Sequence, residues 1–238
     1  MFRPIYEPRN RAREYCDLAV NIYTGCNHGC TYCYAPRVLR KSREAFASDV
    51  RPRDGIVESC KRQIERERLV GKKIMLCFTC DPYPADIDTS ITREVIRTIK
   101  ESGNHVQILT KGGDRARRDF DLLDGGDSFG VSVSTGQHEP VEPNAAGVTE
   151  RLRSVLDAKH LGITTWVSCE PVIDPEAIFY IISLCWYIDM FRIGKLNHAP
   201  SEIDWPSFGR ECERLCKKHD RNYYIKEDLR KLMEAETP

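Results

Sequence analysis

Residues 17–35 read DLAVNIYTGCNHGCTYCYA, and the second half of this stretch puts three thiols, Cys26, Cys30 and Cys33, within eight residues. Its first half, Asp17–Thr24, reads as a strand, so the thiols sit in a loop at a strand's C-terminal end, with Gly25 and Gly29 beside them. Spacings of four and three let a compact loop wrap its thiolates around one centre. A structural zinc site normally takes four ligands, commonly as two separated pairs. Here the second pair is missing: Cys77 and Cys80 belong to a strand end rather than a knuckle. Three thiolates suit a [4Fe–4S] cluster in which one iron keeps no protein ligand and stays open to a small molecule; a zinc loop is the alternative.

Outward from this loop the chain alternates two patterns. β-rich runs recur at Lys73–Thr79, His105–Thr110, Ser128–Ser134, Ile163–Cys169 and Tyr187–Ile193. Between them lie helical patterns. Ile91, Val95, Ile96 and Ile99 share one face behind a cap at Asp88 or Thr89. Leu152, Val155 and Leu156 follow Thr149, and Asp174-Pro175 opens a third helix with a capping carboxylate and a proline at its first position. Upstream, Ile56, Val57, Cys60 and Ile64 give one face of another helix. Strand and helix alternating about six times imply an α/β fold with a parallel sheet covered by helices. Six units are too few for eight-strand closure, so the expected architecture is a partial (β/α)6 barrel with its chemistry at the C-terminal strand ends. Residues 1–195 form this core, with the thiol loop at 25–35. Residues 196–238 form a C-terminal extension whose Asp204–His219 and Ile225–Met233 read as two closing helices.

The chain has 238 residues, of which 41% are hydrophobic and 30% charged, as in a soluble globular protein. At this size folding buries roughly 70–75% of the unfolded surface, so no disulfide scaffold is needed. No run approaches the roughly 18 apolar residues of a membrane span, and the opening MFRPIYEPRNRARE has no apolar core to serve as a signal peptide. A cytoplasmic location, with no membrane partner, is the expectation. Net charge is zero, yet residues 1–72 hold 15 basic and 9 acidic residues. That basic third could meet phosphates, or could be no more than solvated helix faces. Eleven cysteines, an odd number without an export signal, argue against a full disulfide framework.

CNHGCTYCY fits the CxxxCxxC signature of the radical S-adenosylmethionine (SAM) superfamily, including the aromatic before the third cysteine. The wider string NIYTGCNHGCTYCYAP resembles the spore photoproduct lyase-like branch, and TCDPY, LTK and SVS further along are consistent with it. The resemblance covers roughly residues 15–195. It implies a partial barrel of the radical SAM type holding a [4Fe–4S] cluster whose open iron chelates the amino and carboxylate groups of SAM. One electron, from a reductant protein such as a flavodoxin or ferredoxin, then cleaves the sulfonium, and the 5′-deoxyadenosyl radical abstracts hydrogen from a substrate. The substrate stays open: nucleic acid is one class, and a non-catalytic iron–sulfur or zinc interaction module is a rival from another.

Carried over position by position, the resemblance puts Tyr32 by the adenine, a place it can hold while packing the loop. Lys111 matches a lysine that contacts SAM, against the plainer reading of a surface lysine entering the turn at Gly112-Gly113. Ser132 and Ser134 alternate along one strand and so point the same way, and inward hydroxyls favour a polar ligand. Thr79, Cys80 and Asp81 end the second strand, near where the methionine amine would lie, and Glu170 is a similar strand-end carboxylate that could equally cap the next helix. The chain departs from the lyase in one respect. Phe78 occupies the place of the lyase's hydrogen-donating cysteine, with Cys77 and Cys80 on either side. Cys80 is the preferred hydrogen-atom donor, Cys169 and Tyr83 come next, and Cys77 is expected lower in the strand, out of reach.

Overall fold

The computed structural model describes residues 3–136, 141–197 and 199–235. One sheet runs through the molecule in chain order: β1 (Ile5–Tyr6), β2 (Leu18–Val20), β3 (Lys73–Leu76), β4 (His105–Thr110), β5 (Ser128–Ser132), β6 (Thr164–Cys169), β7 (Met190–Ile193) and β8 (Tyr223–Ile225). From β2 to β8 every neighbour is parallel; β1 alone is antiparallel. Among the described residues no ladder joins β8 to β1, and the sheet is an open, partial barrel. The six expected strands are all present. The two additional ones, of two and three residues, are too short to display a period, and β8 lies at the start of what reads as a closing helix.

Register explains the two faces. Val20, Leu76, Ile108 and Phe129 pair in succession across β2 to β5, Val131, Val167 and Phe191 across β5 to β7, and all face outward under the helices. The intervening set, Ala19, Met75, Gln107, Gly130 and Trp166, faces inward. Gly130 is required there, because a Cβ would lie 2.4 Å from the Trp166 ring. The outer layer comprises α3 (Ile56–Glu67), α4 (Ser90–Glu101), a 3-10 segment Gly113–Leu122, α5 (Val148–His160), α6 (Pro175–Leu184), α7 (Trp205–Lys218) and α8 (Glu227–Ala235). Two short helices, α1 (Ala35–Val38) and α2 (Arg43–Ser48), follow the thiol loop directly. Asp174 caps α6 through the Ala177 N–H and Asp204 caps α7 through the Ser207 N–H, each with proline at the start of its helix. α5 begins at Val148 behind Gly147, so Thr149 lies inside its first turn rather than at its cap.

Candidate functional site

The lead-in to the thiols is a set of short-range locks. Asn21 Oδ1 accepts from the N–H groups of Phe78 (2.8 Å) and Thr79 (2.9 Å), which fixes the end of β3 to the end of β2. Gly25 passes so close to α2 that a Cβ would lie 2.1 Å from the Phe46 carbonyl oxygen, and the Cys26 N–H donates to that same oxygen at 3.1 Å. The Asn27 amide exchanges two hydrogen bonds with the backbone of Ala85, at 2.6 and 3.0 Å. Gly29 has φ +74°, and a Cβ there would also press Pro143 at 3.0 Å. Arg43 donates to the carbonyls of Cys30 and Thr31, closing the loop from outside.

Cys26, Cys30 and Cys33 line a cavity of about 630 Å³ at the C-terminal ends of the strands. Tyr32, Thr79, Cys80, Asp81, Lys111, Ser132 and Glu170 line it as well. A structural zinc ion normally takes four ligands, and the loop offers three thiolates on this wall. The donor set fits a multi-iron cluster with one iron left free of protein.

Ser134 is the exception among the expected residues. It is 1% exposed, lies beyond the end of β5, and donates to Glu142 Oε1 at 2.6 Å rather than facing the cavity. Glu142 itself escapes a reading of the sequence, since VEPNAAG looks like an ordinary turn. It is fully buried against Arg151 at 2.5 Å, accepts from the Tyr32 hydroxyl, and lies 3.9 Å from Lys111 Nζ. Burial alone would raise its pKa, but Lys111, Arg151 and the hydroxyls of Ser134 and Tyr32 hold it down at about 2. Lys111 lies over the Tyr32 ring, 5.6 Å from its centroid, so the two expected SAM contacts form one unit anchored on a carboxylate.

Asp81 lines the cavity with its oxygens already committed. Oδ1 accepts from the Tyr83 N–H (2.8 Å) and the Thr110 hydroxyl (2.5 Å), and Oδ2 from the Lys111 N–H (2.8 Å), with His28 Nδ1 at 3.5 Å. These bonds tie the ends of β3 and β4 together, with Asp81 still on the cavity wall. Arg115 donates to His28 Nε2 at 3.1 Å, so that nitrogen is the acceptor and Nδ1 carries the proton toward Asp81. Burial, helped by Arg115, Lys111 and Arg151 and opposed by Asp81, lowers the His28 pKa and keeps the ring neutral. Glu170 does not cap a helix. It accepts from Tyr15 Oη (2.9 Å), Asn197 Nδ2 (3.2 Å) and Lys226 Nζ (2.5 Å), and Lys226, just after β8, is 3% exposed.

The cysteine candidates separate cleanly. Cys169 lies on the outer face of β6, paired with Ile193 and fully buried, and Tyr83 is buried with its hydroxyl on Asp119 at 3.0 Å; neither lines the cavity. Cys77, in contrast, does line it, one residue past the end of β3 at Leu76 and so level with the strand's C-terminal end. The Tyr23 N–H donates to Cys80 Sγ at 3.4 Å. Burial and the neighbouring Cys80 push the Cys77 thiol up. Burial acts the same way on Cys80, but the neighbouring Cys77 thiol and the backbone of Tyr23 and Ile22 outweigh it and bring Cys80 down.

Residues 20–176 match the family model described as the radical SAM superfamily. An uncharacterized protein of Acidianus two-tailed virus is 27% identical over 67% of this chain and 57% of its own length; one of Methanocaldococcus jannaschii is 27% identical over 68% and 63%. The chain thus spans less than two thirds of these relatives. Among solved structures, a spore photoproduct lyase variant superposes with TM-score 0.71 at 14% identity, covering 92% of this chain and 78% of that one. SuiB of Streptococcus suis, bound to the precursor peptide SuiA, gives TM-score 0.67 at 12% identity over 91% and 51%. Both likenesses concern the fold alone. With its three-cysteine loop at the mouth of an open parallel barrel and two thirds of its length matching one family model, this chain belongs to the radical SAM superfamily.

Proposed function

We propose that Cys26, Cys30 and Cys33 hold a [4Fe–4S] cluster whose unligated iron binds SAM, and that the enzyme abstracts a hydrogen atom from a substrate held in the adjoining cavity. The observation that carries this reading is the placement of all three loop cysteines on one cavity wall. When bound, cluster and SAM together supply a 5′-deoxyadenosyl radical on one-electron reduction. The chain's own contribution is to hold and orient. Tyr32 and Lys111, braced by Glu142, present an aromatic face and a cation beside the loop. Ser132 and Thr79 offer hydroxyls to SAM's polar groups, and Tyr15 with Glu170 and Lys226 forms the wall contributed by residues 196–238 and their neighbours. Cys80, with its sulfur in the cavity wall, returns a hydrogen atom to the product radical. A flavodoxin- or ferredoxin-like reductant and a cytoplasmic setting complete the reading. No helix of the described residues is long and apolar enough to cross a membrane.

The test is anaerobic reconstitution, dithionite reduction and chromatography for 5′-deoxyadenosine. About four irons per chain are expected, lost on changing all three cysteines to alanine. Stoichiometric zinc without iron would overturn the reading. A nucleic-acid substrate is the second reading, supported by Arg9, Arg11 and Lys195 at the cavity mouth. Random-sequence oligonucleotides should then bind with a steep salt dependence, and salt-independent or absent binding removes it.

A further inference from the structure

Two sulfurs in the cavity wall have no part in holding a cluster. Cys77 and Cys80 are three residues apart just after the end of β3, each thiol lies close enough to shift the other's ionisation, and both residues line the cavity. A backbone N–H just after β2 points at the pair: Tyr23 donates to Cys80 Sγ at 3.4 Å. Arg53, whose Nε is buried without a hydrogen-bond partner, supplies positive charge on the same side. A sulfur that accepts from a backbone N–H, beside a cation and with a second thiol three residues away, has the surroundings of the nucleophilic member of a dithiol, with Cys77 as the resolving partner. The other buried cysteines lack this setting. Cys60 has no polar neighbour affecting its thiol, and Cys169, Cys212 and Cys216 lie outside the cavity.

We propose that Cys77 and Cys80 form a redox-active dithiol that closes to a disulfide by exchange with a small disulfide of the glutathione class. The Cys80 thiolate attacks one sulfur of the incoming disulfide, a bond forms between them, and the first thiolate leaves. Cys77 gives its proton to solvent, its sulfur attacks Cys80, and the second thiolate departs. One external disulfide becomes two thiols while the protein dithiol becomes a disulfide, so electrons and protons balance. Closure removes the Cys80 S–H from the cavity, and in this respect the inference builds on the donor role given to Cys80 above.

The exchange itself needs no cluster, SAM or substrate, so it is measured separately from that role. Trypsin cleaves after Lys73 and Arg93, which places both cysteines, and no others, in the peptide Ile74–Arg93. Reduced full-length protein is equilibrated anaerobically with mixtures of reduced and oxidised glutathione, acid-quenched, alkylated, digested and weighed. The peptide is expected to lose two hydrogens, about 2 Da, at the oxidised end of the series and to regain them with dithiothreitol. Cys77→Ser should instead trap a glutathione adduct on Cys80. A peptide that carries two alkyl groups at every ratio, or a native protein that stops at the Cys80 adduct, overturns the proposal. Loss of donor function in Cys80→Ala bears only on the earlier reading.

Discussion

With its carboxylate bonded to Ser134, Arg151 and Tyr32, Glu142 is ionised in the folded protein down to about pH 2, against an ordinary value of 4.5. A depressed carboxyl stabilises the fold above its unfolded pKa and loses that contribution as pH falls through the folded one. The window is therefore pH 4.5 down to 2, and the amount is roughly 3 kcal/mol. Glu142→Gln should cost about 3–5 kcal/mol at pH 7, because Arg151 is left buried without its anion. In denaturant titrations the gap between variant and native protein should shrink at pH 3; an equal gap at both pH values would count against an ionised Glu142. Ser134 and Ser132 should part company in the same experiment. Ser134→Ala removes a buried hydrogen bond to Glu142 and should destabilise by about 1–3 kcal/mol. Ser132→Ala, on the cavity wall, should leave stability within about 0.5 kcal/mol and weaken the effect of SAM on the reduced cluster's paramagnetic resonance spectrum.

Elements differ in how much of them the sequence discloses. The thiol loop was readable because its determinants are local: Asn21, Gly25, Asn27 and Gly29 each secure a neighbour of the three cysteines. Strands β2 to β7 were readable because their outer faces keep an apolar period of two. Glu142, Arg151 and Lys226 were not, since a charged residue carries no sign in sequence that its partner will follow it into the core. Cys77 was expected too low because the second strand was read through to Thr79, whereas β3 ends at Leu76. Gly25 tests the local account. Gly25→Ala should push α2 away from the loop, because the obstructing atom is a backbone carbonyl that cannot swing aside. Iron content after anaerobic reconstitution should fall severalfold while circular dichroism stays near native; full iron loading would show that α2 does not set the loop.

Across the whole molecule the cavity is walled by both ends of the chain. Lys226 pairs with Glu170 under the Tyr15 ring, whose centroid is 4.4 Å from its ammonium. Lys226→Met alone should destabilise by about 3–5 kcal/mol, and adding Glu170→Gln should recover part of that, because the stranded carboxylate is then neutral. A double-mutant cycle in urea measures the difference, and strictly additive losses would mean the two groups do not couple. Beside them, Glu14 accepts from the Tyr224 hydroxyl at 3.0 Å and the Glu227 N–H at 2.9 Å, and its carbonyl accepts from Arg192. This clasp joins positions 210 residues apart in sequence. At a synthesis rate of about 5–20 residues per second, the thiol loop leaves the ribosome roughly 10–40 s before Lys226 does and can complete the far wall. During that interval Cys26, Cys30 and Cys33 face an unfinished half-shell, and a large inorganic cargo can be delivered to them without passing through the finished mouth.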